Sequence, residues 1–242
     1  MKVYLSPPFG NYYKLINNFL KINTIPIIGS YALNDQKNIL KERIKTIRFN
    51  KEYNGWEHNV EFKNMGLLKG CDDYNKIKLL NNNIIMSINF INLEDIKLTK
   101  HFLPDDTNLE LNLNTRKYSV QKYLDSHLDI FLSNNGYAPI IKLPHNIKLR
   151  EVDLLYNAGF KNFHCSNSNY INNKMISGES LIAQNIKTIS QLKERYCGEI
   201  EIIGGGGIME TKDIEKYINA GADHISISSI CFNIFKAMQI SI

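Results

Sequence analysis

Short apolar runs alternate with stretches of helical spacing from about Asn81 to the end of the chain. Ile84-Ile85-Met86-Ser87-Ile88 has the length and β-branched content of a strand, and the apolar positions from Leu93 to His101 predict a helix behind it. The same alternation gives a strand at Leu109–Leu113 with a helix over Tyr118–Leu132, and a strand at Pro139–Leu143 with a helix over Leu149–Ala158. Asn162–Cys165 is the next strand, followed by a loop and a longer helix over Leu181–Tyr196. Glu199–Ile203 and a helix over Thr211–Ala220, then His224–Ile227 and a helix over Cys231–Met238, complete the series. Upstream, Val3-Tyr4-Leu5 leads to a helix around Tyr13–Leu20, and Ile25–Ile28 is a further strand. Leu33–Lys63 is weakly patterned and predicts loops or a small excursion. Strands separated by helices pair in parallel, because a parallel neighbour needs a crossover. Eight such units predict a closed (β/α)8 TIM barrel, and no Gly/Ser/Pro-rich linker divides it, so residues 1–242 are expected to form one domain.

Charge and composition narrow the partners rather than the fold. The formal net charge of +5 comes from scattered Lys and Arg, which indicates a solvated surface and no nucleic-acid partner. No window approaches the roughly 18 consecutive apolar residues of a membrane span, and the start of the chain lacks the apolar run of a signal peptide. Cys71, Cys165, Cys197 and Cys231 stand far apart with no metal-ligand spacing, so a reduced, cytoplasmic protein without a bound metal is expected. His164 is read as a hydrogen-bonded, partly buried histidine, and Trp56 as packing under a loop.

The strongest local signal is Ile202-Ile203-Gly204-Gly205-Gly206-Gly207-Ile208, a strand running into four glycines ahead of a helix. Without Cβ atoms such a turn lets an anion approach the backbone N–H groups. Ser228-Ser229, directly after the last strand, is a second anion device. In a barrel of this kind the loops after strands seven and eight commonly bind phosphate. A glycine turn without a ligand is the plainer alternative, and the motif alone does not choose among phosphorylated ligands.

Several segments resemble the dihydroorotate dehydrogenase family, in the family's own order. They are Asn64-Met65-Gly66-Leu67, Leu109–Leu113, Pro139–Pro144, Cys165–Ser168, Ser177–Leu181, Ile202–Ile208 and Ala220–Asp223, with Ser6–Asn11 as the opening segment. The soluble class is the most similar. The resemblance implies an oxidoreductase of pyrimidine (UMP) synthesis that converts dihydroorotate to orotate with flavin mononucleotide (FMN), and pairing into a homodimer is compatible with that class. It implies that Asn112, Lys142, Ser166, Ser177, Gly178, Gly206, Gly207, Ser228 and Ser229 hold the flavin, with the Lys142 cation beside its ring. It further implies that Asn64, Met65, Gly66, Leu67, Asn112, Asn167 and Ser168 hold the substrate, whose amide edges suit asparagine.

The chain departs from the family where proton transfer belongs. Thr115 stands at the position of the catalytic base, with Arg116 and Lys117 in place of proline and asparagine. A threonine hydroxyl is a poor base by itself, and Ser119 is the substitute nearest in sequence. Tyr12-Tyr13 stand where small residues would let the flavin lie flat, and Gly29-Ser30-Tyr31 lacks the family's second lysine. Two further readings therefore stay open: a degenerate, non-catalytic FMN- or phosphate-binding barrel, and a different flavin reductase or isomerase on the same fold.

Overall fold

The computed structural model describes residues 1–35, 48–58, 66–133, 137–165, 168–172 and 174–240. Eight parallel strands close into a barrel in the order β1 (Val3–Leu5), β12 (His224–Ile227), β11 (Glu201–Gly205), β8 (Asn162–Cys165), β7 (Ile140–Leu143), β6 (Leu109–Asn112), β5 (Ile85–Asn89) and β2 (Ile25–Tyr31). The (β/α)8 barrel expected from the alternation is therefore present, and strand positions agree with the apolar runs to within a few residues. No helix among the described residues is long and apolar enough to cross a membrane.

Side-chain alternation along each strand sorts the core into two layers. One parity packs outward against the helices, as Leu111, Ile141, Phe163, Ile202 and Ile225 do, in the large apolar cluster. The other parity faces the barrel axis, where Tyr4, Ile27, Ile85, Ile140 and Ile203 form a small apolar floor. Toward the C-terminal strand ends the axis-facing positions turn polar: Ser87 and Lys142 lie two residues beyond Ile85 and Ile140, and Glu110, His164 and Ser226 are buried on the strands between and beside them. The barrel is thus apolar at the N-terminal end of its strands and polar toward the other.

Four elements differ from the sequence expectation. Gly66–Lys78 is a helix of its own (α2, after the short α1 at Tyr13–Ile16), where Gly66-Leu67 was expected in a binding loop. Leu67 and Tyr74 anchor it in the core, and the Tyr74 hydroxyl accepts a hydrogen bond of 3.1 Å from the Asn108 N–H. The helix expected over Tyr118–Leu132 stops after Val120–Asp125 (α4, following α3 at Asp95–Phe102) because His127 takes a left-handed φ of 67°, and a 3-10 turn covers Leu128–Ser133. The C-terminal helix is likewise divided, into a 3-10 turn at Ser229–Phe232 and a short helix at Ile234–Ala237, by Asn233, whose side chain caps the second piece through the Lys236 N–H. Finally, the loop after β8 holds two strands, β9 (Asn169–Ile171) and β10 (Lys174–Gly178). They join β3 (Arg48–Asn50) and β4 (Gly55–His58) in an antiparallel sheet ordered β3-β4-β10-β9.

That sheet is the excursion expected within Leu33–Lys63, and it lies over the rim because its strands leave the C-terminal ends of β2 and β8. Trp56 packs in it between Phe49 (ring centroids 5.4 Å apart) and Phe232 (4.7 Å), and Phe232 meets Phe9 at 4.8 Å. This aromatic row ties the added sheet to both ends of the chain. Tyr13, expected to crowd a flavin, is buried in the outer layer instead, and its hydroxyl accepts from Asn81 ahead of β5, at the end of the barrel opposite the rim. Tyr12 is exposed.

Candidate functional site

Three of the expected site residues line one cavity of about 480 Å³ at the C-terminal ends of β5, β6 and β7. Asn112 ends β6, Thr115 follows it in the loop, and Ser168 stands just before β9. The rest of the wall includes Asn89, Asn114, Arg116, Lys117, His145, Asn146, Asn169, Tyr170 and Met175. Among the described residues this wall contains two cations and no carboxylate, so it favours an anionic ligand with amide-like edges. Lys117 is already engaged, its Nζ donating to the Ile91 carbonyl at 2.5 Å and to Asn92 Oδ1 at 3.2 Å. The Arg116 guanidinium lies over the Tyr170 ring at 4.0 Å, so the loop after β6 touches the added sheet across the cavity mouth.

Beneath the cavity runs a buried polar chain. Asn112 Nδ2 donates to Ser30 Oγ at 3.4 Å, Ser30 and Ser87 share a hydroxyl contact at 2.9 Å, and Ser87 donates to Glu110 Oε1 at 2.7 Å. Glu110 is fully buried, with His164 Nδ1 at 2.5 Å and Lys142 Nζ at 3.7 Å. Burial alone would keep this carboxyl protonated, but the Lys142 charge and the hydrogen bonds from His164 and Ser87 outweigh it and bring its pKa down to about 2. Burial pushes His164 the other way, below the usual histidine value, so a neutral ring donates its Nδ1–H to an ionised Glu110. His164 is hydrogen-bonded as expected, but fully rather than partly buried. Lys142 is buried and held on the barrel axis by Glu110.

A second wall residue carries a fixed hydrogen-bond direction. His145, directly after the Leu143-Pro144 end of β7, has its Nδ1 3.2 Å from Asn185 Oδ1, while Asn185 Nδ2 donates to the Gly205 carbonyl at 2.8 Å. Burial lowers the pKa of His145, although the Asn185 contact opposes that, so the ring is neutral. Sequence reasoning missed His145. Its one signal was a histidine directly after the Leu143-Pro144 strand end.

The expected anion turns lie next to each other. Gly205 pairs with Ser226 in adjacent parallel strands, so Gly206-Gly207 and Ser228-Ser229 leave neighbouring strand ends. Gly206 and Gly207 take φ of 89° and 78°, which only glycine adopts without strain. A Cβ on Gly207 would fall 2.2 Å from the Gly178 carbonyl oxygen, so β10 packs backbone to backbone on the turn. The Tyr217 hydroxyl and Asn185 bind the Gly206 and Gly205 carbonyls from the helix side. The N–H groups of Gly207, Ile208 and Ser229 meet no acceptor among the described residues, which is the donor set a phosphate requires. Ser228 Oγ donates to the Pro7 carbonyl at 3.1 Å, which leaves backbone amides rather than that hydroxyl as donors there. Ser177 sits in β10 opposite Trp56 and donates to its carbonyl at 3.3 Å. Ser119 caps α4 through the Lys122 N–H and is not in the cavity wall. Asn64, Met65, Ser166 and Asn167 lie outside the described residues. Gly66 and Leu67 open α2, with the Leu67 side chain in the core.

A (β/α)8 barrel with a glycine turn and an amide-rich cavity on its C-terminal rim is the class of protein that fold and site define. Within that class, residues 158–241, which contain both anion turns, match the family model for dihydroorotate dehydrogenase. The crystal structure of dihydroorotate dehydrogenase (DHODH) from Eimeria tenella in complex with ferulenol superposes with a TM-score of 0.77 at 16% identity, over 99% of this chain and 79% of that one. The ligand-free form from the same organism gives 0.74 at 16% identity, over 98% and 80%. No curated protein sequence matches the chain. The resemblance in the sequence is thus supported twice: the C-terminal third carries the family's sequence pattern, and the whole chain has the fold of these two structures.

Proposed function

We propose that the protein is a dihydroorotate dehydrogenase-like oxidoreductase that binds FMN and oxidises dihydroorotate to orotate, in the cytoplasm and as a step of UMP synthesis. The observation that carries this reading is the pairing on one rim of two features. One is the amide cup at Gly206-Gly207 and Ser228-Ser229; the other is a cavity holding Asn112, Thr115 and Ser168 with cations and no carboxylate among its described residues. The free N–H groups fit a phosphate, and Ser177 and Gly178 adjoin that turn. Asn112, Lys142 and Ser166 complete the flavin contacts on this reading, and Asn64, Met65, Gly66, Leu67, Asn112, Asn167 and Ser168 the substrate contacts. The bound flavin supplies a two-electron acceptor, and Lys142, with its charge held on the axis by Glu110, stabilises the negative charge that develops on that acceptor. Thr115 faces the substrate from the loop after β6. A soluble oxidant such as fumarate then reoxidises the protein.

The test is anaerobic mixing of the purified, flavin-loaded protein with dihydroorotate. Bleaching of the flavin band supports the assignment; a loaded protein that stays yellow refutes it. A second reading, a phosphate-binding barrel without turnover, is favoured by a threonine at the base position and by a Ser228 hydroxyl already committed to Pro7. It predicts flavin or phosphate binding with no bleaching.

A further inference from the structure

We infer that His145 is the general base that removes the proton from the substrate's ring carbon, a role that rests on the dehydrogenase reading and supplies the basicity Thr115 lacks. The argument starts at a carbonyl. The Gly205 oxygen can only accept, so the Asn185 group 2.8 Å from it is the amide nitrogen. The Asn185 oxygen is then the atom facing His145 Nδ1, and since it too can only accept, Nδ1 carries the hydrogen. A neutral imidazole protonated at Nδ1 has a bare lone pair at Nε2. His145 is in the cavity wall, and Nε2 has no hydrogen-bond partner among the described residues. The remaining wall offers only weaker bases, since Ser168 is an alcohol and Tyr170 a phenol under the Arg116 guanidinium. Its described residues include no Asp, Glu or Cys; Arg116 and Lys117 are cations, and Thr115 is an alcohol.

The step balances. The C–H bond next to the ring carbonyl breaks, its proton goes to His145 Nε2, and its electron pair becomes the new ring double bond. Hydride leaves the adjacent carbon for the oxidised flavin, and the imidazolium later returns its proton to solvent. Asn185 is a positioning residue. It fixes the tautomer of the base from one side and the carbonyl of the anion turn from the other, so one side chain couples the proton site to the phosphate cup.

Two measurements test this, one of them independent of turnover. Nitrogen-15 histidine spectra of the unaltered protein should show His145 with a protonated Nδ1 and a pyridine-type Nε2; a ring protonated at Nε2 overturns the inference. In deuterated buffer, wild type should exchange a ring hydrogen of dihydroorotate, and His145→Gln should slow both exchange and flavin bleaching by ~100-fold or more. Cys197→Ser, an exposed position outside the cavity wall, should retain both. If exchange and bleaching survive His145→Gln, the base assignment fails while the dehydrogenase reading stands. If wild type neither exchanges the hydrogen nor bleaches loaded flavin, both fall together.

Discussion

Replacing Glu110 with glutamine keeps the size of the side chain and removes its charge, leaving Lys142 Nζ buried in the barrel axis with no counter-charge at 3.7 Å. Two routes give the cost. Breaking a buried ion pair by deleting one partner destabilises by about 3–5 kcal/mol, most of it the uncompensated charge that remains. Independently, the carboxyl is brought from 4.5 to about 2 on folding, and at about 1.4 kcal/mol per pKa unit that is about 3.5 kcal/mol. The pH dependence has a definite sign. The folded value lies below the unfolded one, so the contribution is complete above pH 4.5 and disappears as pH falls toward 2. Urea unfolding followed by circular dichroism and by the fluorescence of Trp56, the sole tryptophan, measures both. Glu110→Gln should lose about 3.5 kcal/mol at pH 7, and the gap should narrow between pH 4.5 and pH 3. Adding Lys142→Met should restore much of the loss, because it removes the orphaned charge. A single variant within 1 kcal/mol of wild type, or a double variant weaker than the single, would refute the electrostatic account of this core.

Other consequences are simpler to check. Gly207→Ala places a Cβ 2.2 Å from the Gly178 carbonyl oxygen at a φ of 78°; it should cost at least ~1 kcal/mol in thermal or urea unfolding and abolish flavin retention measured by absorbance. Arg116→Ala removes the cation over Tyr170 at the cavity mouth, and calorimetry should show orotate binding weakened roughly tenfold, with an uncharged pyrimidine little affected. Burial pushes the thiols of Cys165 and Cys231 up to about 12, so a thiol reagent at pH 8 should label exposed Cys197 first and reach those two only on unfolding; rapid labelling of Cys165 in the native protein would contradict the packing described.

The sequence by itself determined the barrel, because its signal is local. Runs such as Ile140-Ile141-Lys142-Leu143 and Ile202-Ile203 announce buried parallel strands, and helices such as Leu149–Asn157 and Thr211–Asn219 start and stop close to where their apolar spacing does. The glycine turn was legible for the same reason: four glycines directly after a strand mark a left-handed backbone turn, which Gly206 and Gly207 make. What only the tertiary structure decided depends on partners distant in sequence. The strands β9 and β10 carry too little apolar pattern to show themselves and exist because β4 pairs with β10, with Trp56 opposite Ser177. Helix α2 has a face too narrow to register, and it is stabilised by Leu67 and Tyr74 reaching the core. The sequence marked Lys142 as a cation at a strand end, but its partner, Glu110 on the neighbouring strand, came only from the fold. His145 gave little signal as a residue in a loop; its tautomer, and so its chemistry, is set by an asparagine 40 positions away that is itself held by a glycine carbonyl. Spacing along a chain specifies which face a side chain takes, whereas charge state and proton position follow from neighbours that only folding brings together.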